Sequence, residues 1–463
     1  MYPLLMRALL SCWCVVMSAG FIIDTDPCPA PSPCRCYSSR IDCAYKRLTS
    51  FPVLKFSQRH YRELEILLQR NIIESIPDNA FGNIISATPE SVEIHLNKNR
   101  IHNISRNAFA NFGDSKVTIE LSENRLTVLP YALSMVKNLN TLRLLGNNFI
   151  YIDDTVMSSL GKTVETFWLD MSSVAIWPQS FSSFQKLTSL WIDYIPFHTL
   201  PSNSFEGLRK LFQLEISNSK LQSVPDAICR LPQLQQFRFN HNIYMLNSLT
   251  HILTVCKQPL HNASLAYFNN NNMFSFPENV FLVFPRIRSL NLSFNYLNSI
   301  TSSAIPENCT LYYLYLSNNE FTSIPLAVSK MPELITLVIS NNRITSVDGR
   351  VLSSLQNFRQ LTISNNPLIF IDPHAFSTSL TLKNLYVEHT NITSVPAAIL
   401  HSNERSAIDL TGSPVQCNCN NMAFLNSLSK SDVESGKKFF RGDCVNANMT
   451  IKSYILNVLP NCF

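Results

Sequence analysis

Glycine is scarce, ten residues in 463, and none of them forms a G-x-x-x-x-G-K-[ST] stretch, which excludes a backbone loop built to cradle phosphates. Neither G-x-S-x-G nor H-E-x-x-H occurs, EF-hand spacing is missing and the 10 histidines are scattered. Nucleophilic, zinc-hydrolytic and calcium chemistry therefore have no focus, and neither an enzyme activity, a cofactor nor a metal is expected. Carboxylate pairs such as Asp153-Asp154 fall between apolar segments, with no pocket to raise a pKa, and read as solvated. Charged residues make up only 15% and the net charge of +5 is dispersed, which argues against nucleic acid as a partner. Beyond the first 20 residues no run reaches the ~18–20 apolar residues of a membrane-spanning helix, so no membrane insertion is expected.

What is present points outside the cell. Arg7 is followed by an apolar stretch from Ala8 to Met17 and then by Ser18-Ala19-Gly20, the pattern of a cleavable signal peptide over 1–20. Six Asn-x-Ser/Thr sequons, at Asn103, Asn262, Asn291, Asn308, Asn391 and Asn448, fit a secreted, extracellular glycoprotein. Apolar residues at 46% are enough for an extended core.

The chain repeats itself. Leu334, Leu337, Ile339, Asn342 and Ile344 fit L-x-x-L-x-L-x-x-N-x-L, and units of this form start at 63, 91, 116, 139, 164, 187, 211, 234, 263, 287, 311, 334, 358, 382 and 405. Successive starts lie 23 to 25 residues apart, except for 28 after the first and 29 after the eighth. The L-x-L core alternates with period two and predicts a short strand whose leucines face inward while the x positions face out. Asn71, Asn99, Asn124, Asn147, Asn242, Asn271, Asn295, Asn319, Asn342 and Asn366 recur just after the strand, where an amide can serve turn backbone that has left the sheet. No unit buries its apolar face alone, so the fold needs neighbours and sealed ends.

Cysteines stand where those seals belong. Cys28, Cys34, Cys36 and Cys43 precede Leu48-Thr-Ser-Phe51-Pro52, the tail of a truncated repeat, and Cys417, Cys419, Cys444 and Cys462 follow the last unit. With the repeat, these residues resemble the cysteine-flanked leucine-rich-repeat proteins of the animal extracellular space, a family that includes Slit, Toll-type ectodomains and small proteoglycans. The resemblance implies an α/β solenoid: a right-handed horseshoe of about 15 repeats at 63–416 with a parallel concave sheet, between cysteine caps at 28–52 and 417–463. It also implies disulfides Cys28 to Cys36, Cys34 to Cys43, Cys417 to Cys444 and Cys419 to Cys462. Zinc is the competing reading of the C-x-C pairs, but no His-x3-5-His lies nearby. Cys229 and Cys256 occupy equivalent outer positions in consecutive repeats, within disulfide reach for strands about 4.8 Å apart. Cys309 is left over, as a buried thiol or an intermolecular link.

Function must then lie on the outward positions. In successive repeats the central one reads Glu120, Arg143, Trp168, Trp191, Glu215 and Arg238, with Asp170 and Asp193 two residues further on and Glu165 nearby. Paired tryptophans beside like charges suggest a ligand site for a basic partner, and the asparagine series is interrupted there by Ser172, Ile195 and Ser219. The alternative is structural, with the tryptophans packing on each other or Arg143 covering Trp168. A second outward cluster, Tyr267, Tyr312, Tyr313 and Tyr315, surrounds Asn291, whose glycan would cover it. Lys437 and Lys438 form a small basic pair read as solvated surface or glycosaminoglycan contact. A protein ligand or receptor is the expected partner, ahead of a glycan or lipid-bearing ligand. A structural matrix glycoprotein and a non-catalytic enzyme subunit are the competing functions.

Overall fold

The computed structural model describes residues 28–58, 60–243, 253, 255–377, 381–403 and 405–462; the expected leader, 1–20, lies outside them. One sheet of 18 strands runs through the molecule. It opens with the antiparallel hairpin Arg35–Tyr37 and Arg40–Asp42, whose second strand pairs in parallel with Glu63–Leu67. A strand from each repeat follows in sequence order, and Lys438–Arg441 closes the sheet beside Ser406–Asp409. Register is kept by the leucines: Leu290, Leu314, Leu337, Leu361 and Leu385 are direct neighbours along the stack, and all are buried. Alternation then forces the residues between them onto the opposite, concave face.

The asparagine series is a hydrogen-bond ladder. Asn124 Nδ2 donates to Leu121 O at 2.9 Å and to Leu96 O of the preceding repeat at 3.0 Å, while its Oδ1 accepts from Ile101 N at 3.0 Å. Each such amide thus pairs backbone groups that would otherwise be buried without partners. Near the C-terminal end Thr390 and Ser413 stand in the same place, each hydroxyl donating to Val387 O.

The outer side is built from 3-10 turns and short helices. Five of the turns, among them Tyr131–Met135, Asp226–Arg230 and Leu326–Lys330, start directly after a proline: Pro130, Pro178, Pro225, Pro325 and Pro396. Proline's fixed φ and missing N–H suit the entry of a helical turn, where no partner for the donor exists. Behind the turns runs a stack of aromatic rings, such as Phe81 on Phe109 at 5.7 Å and Phe167 on Phe184 at 5.3 Å. The Asp153-Asp154 pair opens the helix Asp154–Leu160, with Asp153 Oδ1 accepting from Thr155 N at 2.8 Å and Val156 N at 3.1 Å.

Disulfides close both ends: Cys28–Cys36 and Cys34–Cys43 at the front, Cys417–Cys444 and Cys419–Cys462 at the back. Cys229 and Cys256 are also bonded, with Cα atoms 5.4 Å apart. Cys309 is a buried free thiol. One expectation is overturned. Lys438 is not part of a surface cluster: its side chain is buried in the C-terminal cap, and Nζ donates to Asn403 O at 2.7 Å, Ser402 Oγ at 2.9 Å and Ser406 Oγ at 3.1 Å. Alternation in Lys438–Arg441 decides this, because Lys438 and Phe440 share the inward face.

Candidate ligand-binding surface

Three adjacent strands carry the central patch: Thr166–Asp170, Ser189–Asp193 and Gln213–Ser217. Their register places Trp168 beside Trp191 and Trp191 beside Glu215, and the next rung adds Arg238. Both tryptophans are half-buried. Their rings meet edge to face at 5.2 Å, and the Arg143 guanidinium lies 4.4 Å from the centre of the Trp168 ring. Arg143 also pairs with Glu120 at 3.7 Å. The packing alternative is therefore realised: pair and arginine hold each other while leaving part of both indoles on the concave face.

Trp191 is fixed further by its nitrogen. Nε1–H donates to Ser217 Oγ at 2.8 Å, Ser217 donates in turn to Asp193 Oδ1 at 3.0 Å, and Asn218 Nδ2 donates to the same oxygen at 2.8 Å. Asp170 is placed differently from the sequence expectation. It is buried, and its Oδ1 accepts from Ser172 N at 2.8 Å, so it supports the turn where the asparagine is missing. Glu165 lies one residue before its strand, at the opposite end from Asp170, exposed and apart from the other acids.

Burial dominates the electrostatics. It pushes the carboxyls of Asp170, Asp193 and Glu215 above their usual range, against the hydrogen bonds to Asp170 and Asp193 and against the Arg238 charge beside Glu215. The charge of Asp193, its neighbour in the same row, raises the Asp170 carboxyl further. Desolvated carboxylates that lack full compensation mark a place where a cation is favoured.

The second cluster is also assembled. Tyr267, Asn291 and Tyr315 are neighbours along the rungs, Tyr312 and Tyr313 meet edge to face at 6.5 Å, and Arg288 lies 5.5 Å from the Tyr312 ring. Asn291 Oδ1 accepts from Ser293 N at 2.9 Å. Asn103, Asn262, Asn308, Asn391 and Asn448 are exposed, whereas Asn291 is half-buried among the tyrosines. Sequence reading missed Ser217, Asn218 and Asn240 as site residues. Asn240 stands in the same row as Asp170 and Asp193, so carrying that row one repeat further finds it.

Geometry of this kind defines a class, a solenoid closed at both ends by disulfides that presents an open parallel sheet. Two family models match the chain, Leucine rich repeat over 179–242 and 309–368, and BspA type Leucine rich repeat region over 56–188. Podocan of Mus musculus is 30% identical over 234 residues, 49% of this chain and 36% of that protein. Keratocan of Bos taurus is 26% identical over 335 residues, 70% of this chain and 74% of that protein. The chain thus spans about a third of podocan and three quarters of keratocan. Among solved structures, Toll in the Drosophila Toll–Spatzle complex superposes with a TM-score of 0.60 at 19% identity, over 77% of this chain and 51% of that one. The chain belongs to the leucine-rich-repeat family with disulfide-bonded caps at both ends.

Proposed function

We propose that the protein is secreted and acts as an extracellular recognition protein, holding a protein ligand or receptor against the centre of its concave sheet and catalysing no reaction. The observation that carries this is the Trp168–Trp191 pair, positioned by Arg143 and Ser217 yet still presenting surface, next to half-buried carboxylates that call for positive charge. Rigid aromatic anchors beside uncompensated charge are what a binding hot spot requires. The fold likeness to Toll, solved with Spatzle, supports a protein ligand on this scaffold. Among the described residues no helix is long and apolar enough to cross a membrane, and no group of three or more His, Cys, Asp or Glu could hold a metal ion.

Affinity capture with the secreted protein tests this. Replacing either tryptophan by alanine should cost at least about 2 kcal/mol of binding to the captured partner, with secretion unchanged. Capture undiminished in the double variant Trp168→Ala, Trp191→Ala would place the ligand elsewhere. A structural role in the extracellular matrix is the second reading, favoured by the likeness to keratocan over 70% of the chain. Concentration-dependent self-association in sedimentation would support it over a monomer with one saturable partner.

A further inference from the structure

Each of the last four strands of the large sheet is preceded directly by an exposed cation. Arg359 stands before Gln360–Thr362, Lys383 before Asn384–Tyr386, Arg405 before Ser406–Asp409 and Lys437 before Lys438–Arg441. These strands are neighbours in that order, so at about 4.8 Å per rung the row spans roughly 14 Å. In the four strands before them the same position holds Ser264, Arg288, Tyr312 and Ile335, and the single cation lies against the Tyr312 ring.

A recess opens beside the row. Asn384, Ala407 and Phe439 are direct neighbours across three strands, and the small Ala407 side chain leaves a notch between the other two. The groove there has a volume of about 560 Å³, with Lys383, Arg405 and Lys437 around it, Ser435 of the cap on its far side and the exposed Phe439 ring at its edge.

Carboxylates of these rungs stand at the other ends of the strands. Asp409, paired with Arg441 at 3.2 Å, comes four residues after Arg405, and Glu388 comes five after Lys383. At about 3.3 Å per residue both lie well beyond ion-pair reach of the row. Lys437 has a partner, Asp432, at 3.1 Å. Among the described residues Arg359, Lys383 and Arg405 have no carboxylate partner; Glu404 lies outside those residues. Cations gathered on the rim of a low-dielectric cleft focus a field that attracts an anion.

We propose that this groove, where the last repeat meets the C-terminal cap, binds a sulfated glycosaminoglycan chain. Arginine and lysine take anionic oxygens through charge-assisted hydrogen bonds, and a row of cations suits an anion that repeats its charges along a chain. The Asn384 amide and the Ser435 hydroxyl are partners for sugar hydroxyls, and Phe439 offers one ring face. Single-stranded nucleic acid carries similar charge, but it binds by stacking successive bases on several aromatic rings, and this groove has one. A membrane surface cannot enter a recess of this size. The site lies far along the sheet from Trp168 and Trp191 and does not depend on the ligand reading made for them.

The test titrates the intact secreted protein calorimetrically with a heparin octasaccharide, which should bind, and with its desulfated form, which should not. Lys383→Ala, Arg405→Ala and Lys437→Ala together should weaken binding at least about tenfold at an unchanged melting temperature. Removing three exposed cations elsewhere, by Lys186→Ala, Arg209→Ala and Lys210→Ala, should change it by less than about twofold. Ala407→Leu fills the notch without altering charge and should also weaken binding. Equal losses in the two triple variants, full affinity after Ala407→Leu, or equal binding of an oligothymidylate of the same charge overturns the proposal. So does capture of phosphatidylserine vesicles by a protein that leaves the octasaccharide unbound.

Discussion

Replacing Asn295 by alanine puts the ladder to a quantitative test. The side chain is 5% exposed, and Nδ2 donates to Phe268 O and Leu292 O, both at 2.9 Å, and more weakly to Ser293 O at 3.3 Å. Its Oδ1 accepts from Asn271 N and Met273 N, both at 3.0 Å. Alanine fills none of these roles, so Phe268 O and two N–H groups lose their partners inside the solenoid, while Leu292 O keeps Asn319 Nδ2 at 3.0 Å. At about 1–3 kcal/mol for each orphaned buried group, and allowing for water that enters the gap, the loss should be about 3–5 kcal/mol. Asn295→Asp should do no better, because it keeps the acceptor, loses both donors and buries a charge.

Guanidinium unfolding read by far-ultraviolet circular dichroism gives the magnitude. Asn298→Ala, an exposed neighbour three residues on, is the control and should change stability by less than about 0.5 kcal/mol. Because each repeat leans only on its neighbours, the Asn295 variant should also broaden the transition, as the two sides of the break begin to unfold independently. A loss below about 1 kcal/mol would refute the view that this amide is the turn's necessary partner.

Three further outcomes are expected. Cys229→Ser with Cys256→Ser opens a loop of sequence separation 27 and should cost about 3.5 kcal/mol by chain entropy, read as a lower unfolding midpoint under non-reducing conditions. Intact glycopeptide analysis should find Asn291 occupied, since its hydrogen bond to Ser293 uses Oδ1 and not the nitrogen that carries the sugar; an unoccupied Asn291 would instead make Tyr267, Tyr313 and Tyr315 a candidate ligand surface. Asp193→Asn should stabilise the protein at pH 7.5. Burial raises the Asp193 carboxyl above its usual value, so the folded state holds that proton more tightly than the unfolded chain does, and ionisation at neutral pH works against folding. The variant mimics the protonated form, and its advantage should fade as the pH falls through the raised value towards the ordinary carboxylate range. An advantage that grew on acidification would contradict the assignment.

Inward positions were readable because they repeat. Any residue that breaks the L-x-x-L-x-L frame disturbs every neighbour, so the strands, their order and the asparagine ladder follow from spacing alone, as does the Cys229–Cys256 pairing. Outward positions obey no such rule. Their rows can be written down from the repeat, which brought Trp168, Trp191, Asp193 and Glu215 together, but the depth of each side chain cannot. The repeat pattern points Asp170 outward as a charge, but it lies buried against Ser172 N. For Lys438 the repeat gives no guide, because the cap strand that turns it inward lies beyond the last repeat and outside the period.

Those two differences sharpen the site. Where the ladder lapses at Ser172, Asp170 accepts from Ser172 N, so its carboxyl is engaged by the scaffold of its own turn. Asp193 is engaged by the Tyr194 backbone of its own turn and also reaches across the sheet: its side-chain donors, Ser217 and Asn218, come from the following rung, and the first of them also holds Trp191. Glu215 likewise faces Arg238 and Asn240 across the rung and not its own loop. A sheet selected for stability alone would have no use for two half-buried carboxylates whose ionisation works against folding. Their place at the centre of the concave face, beside the Trp168–Trp191 pair, is what supports the proposed ligand site there.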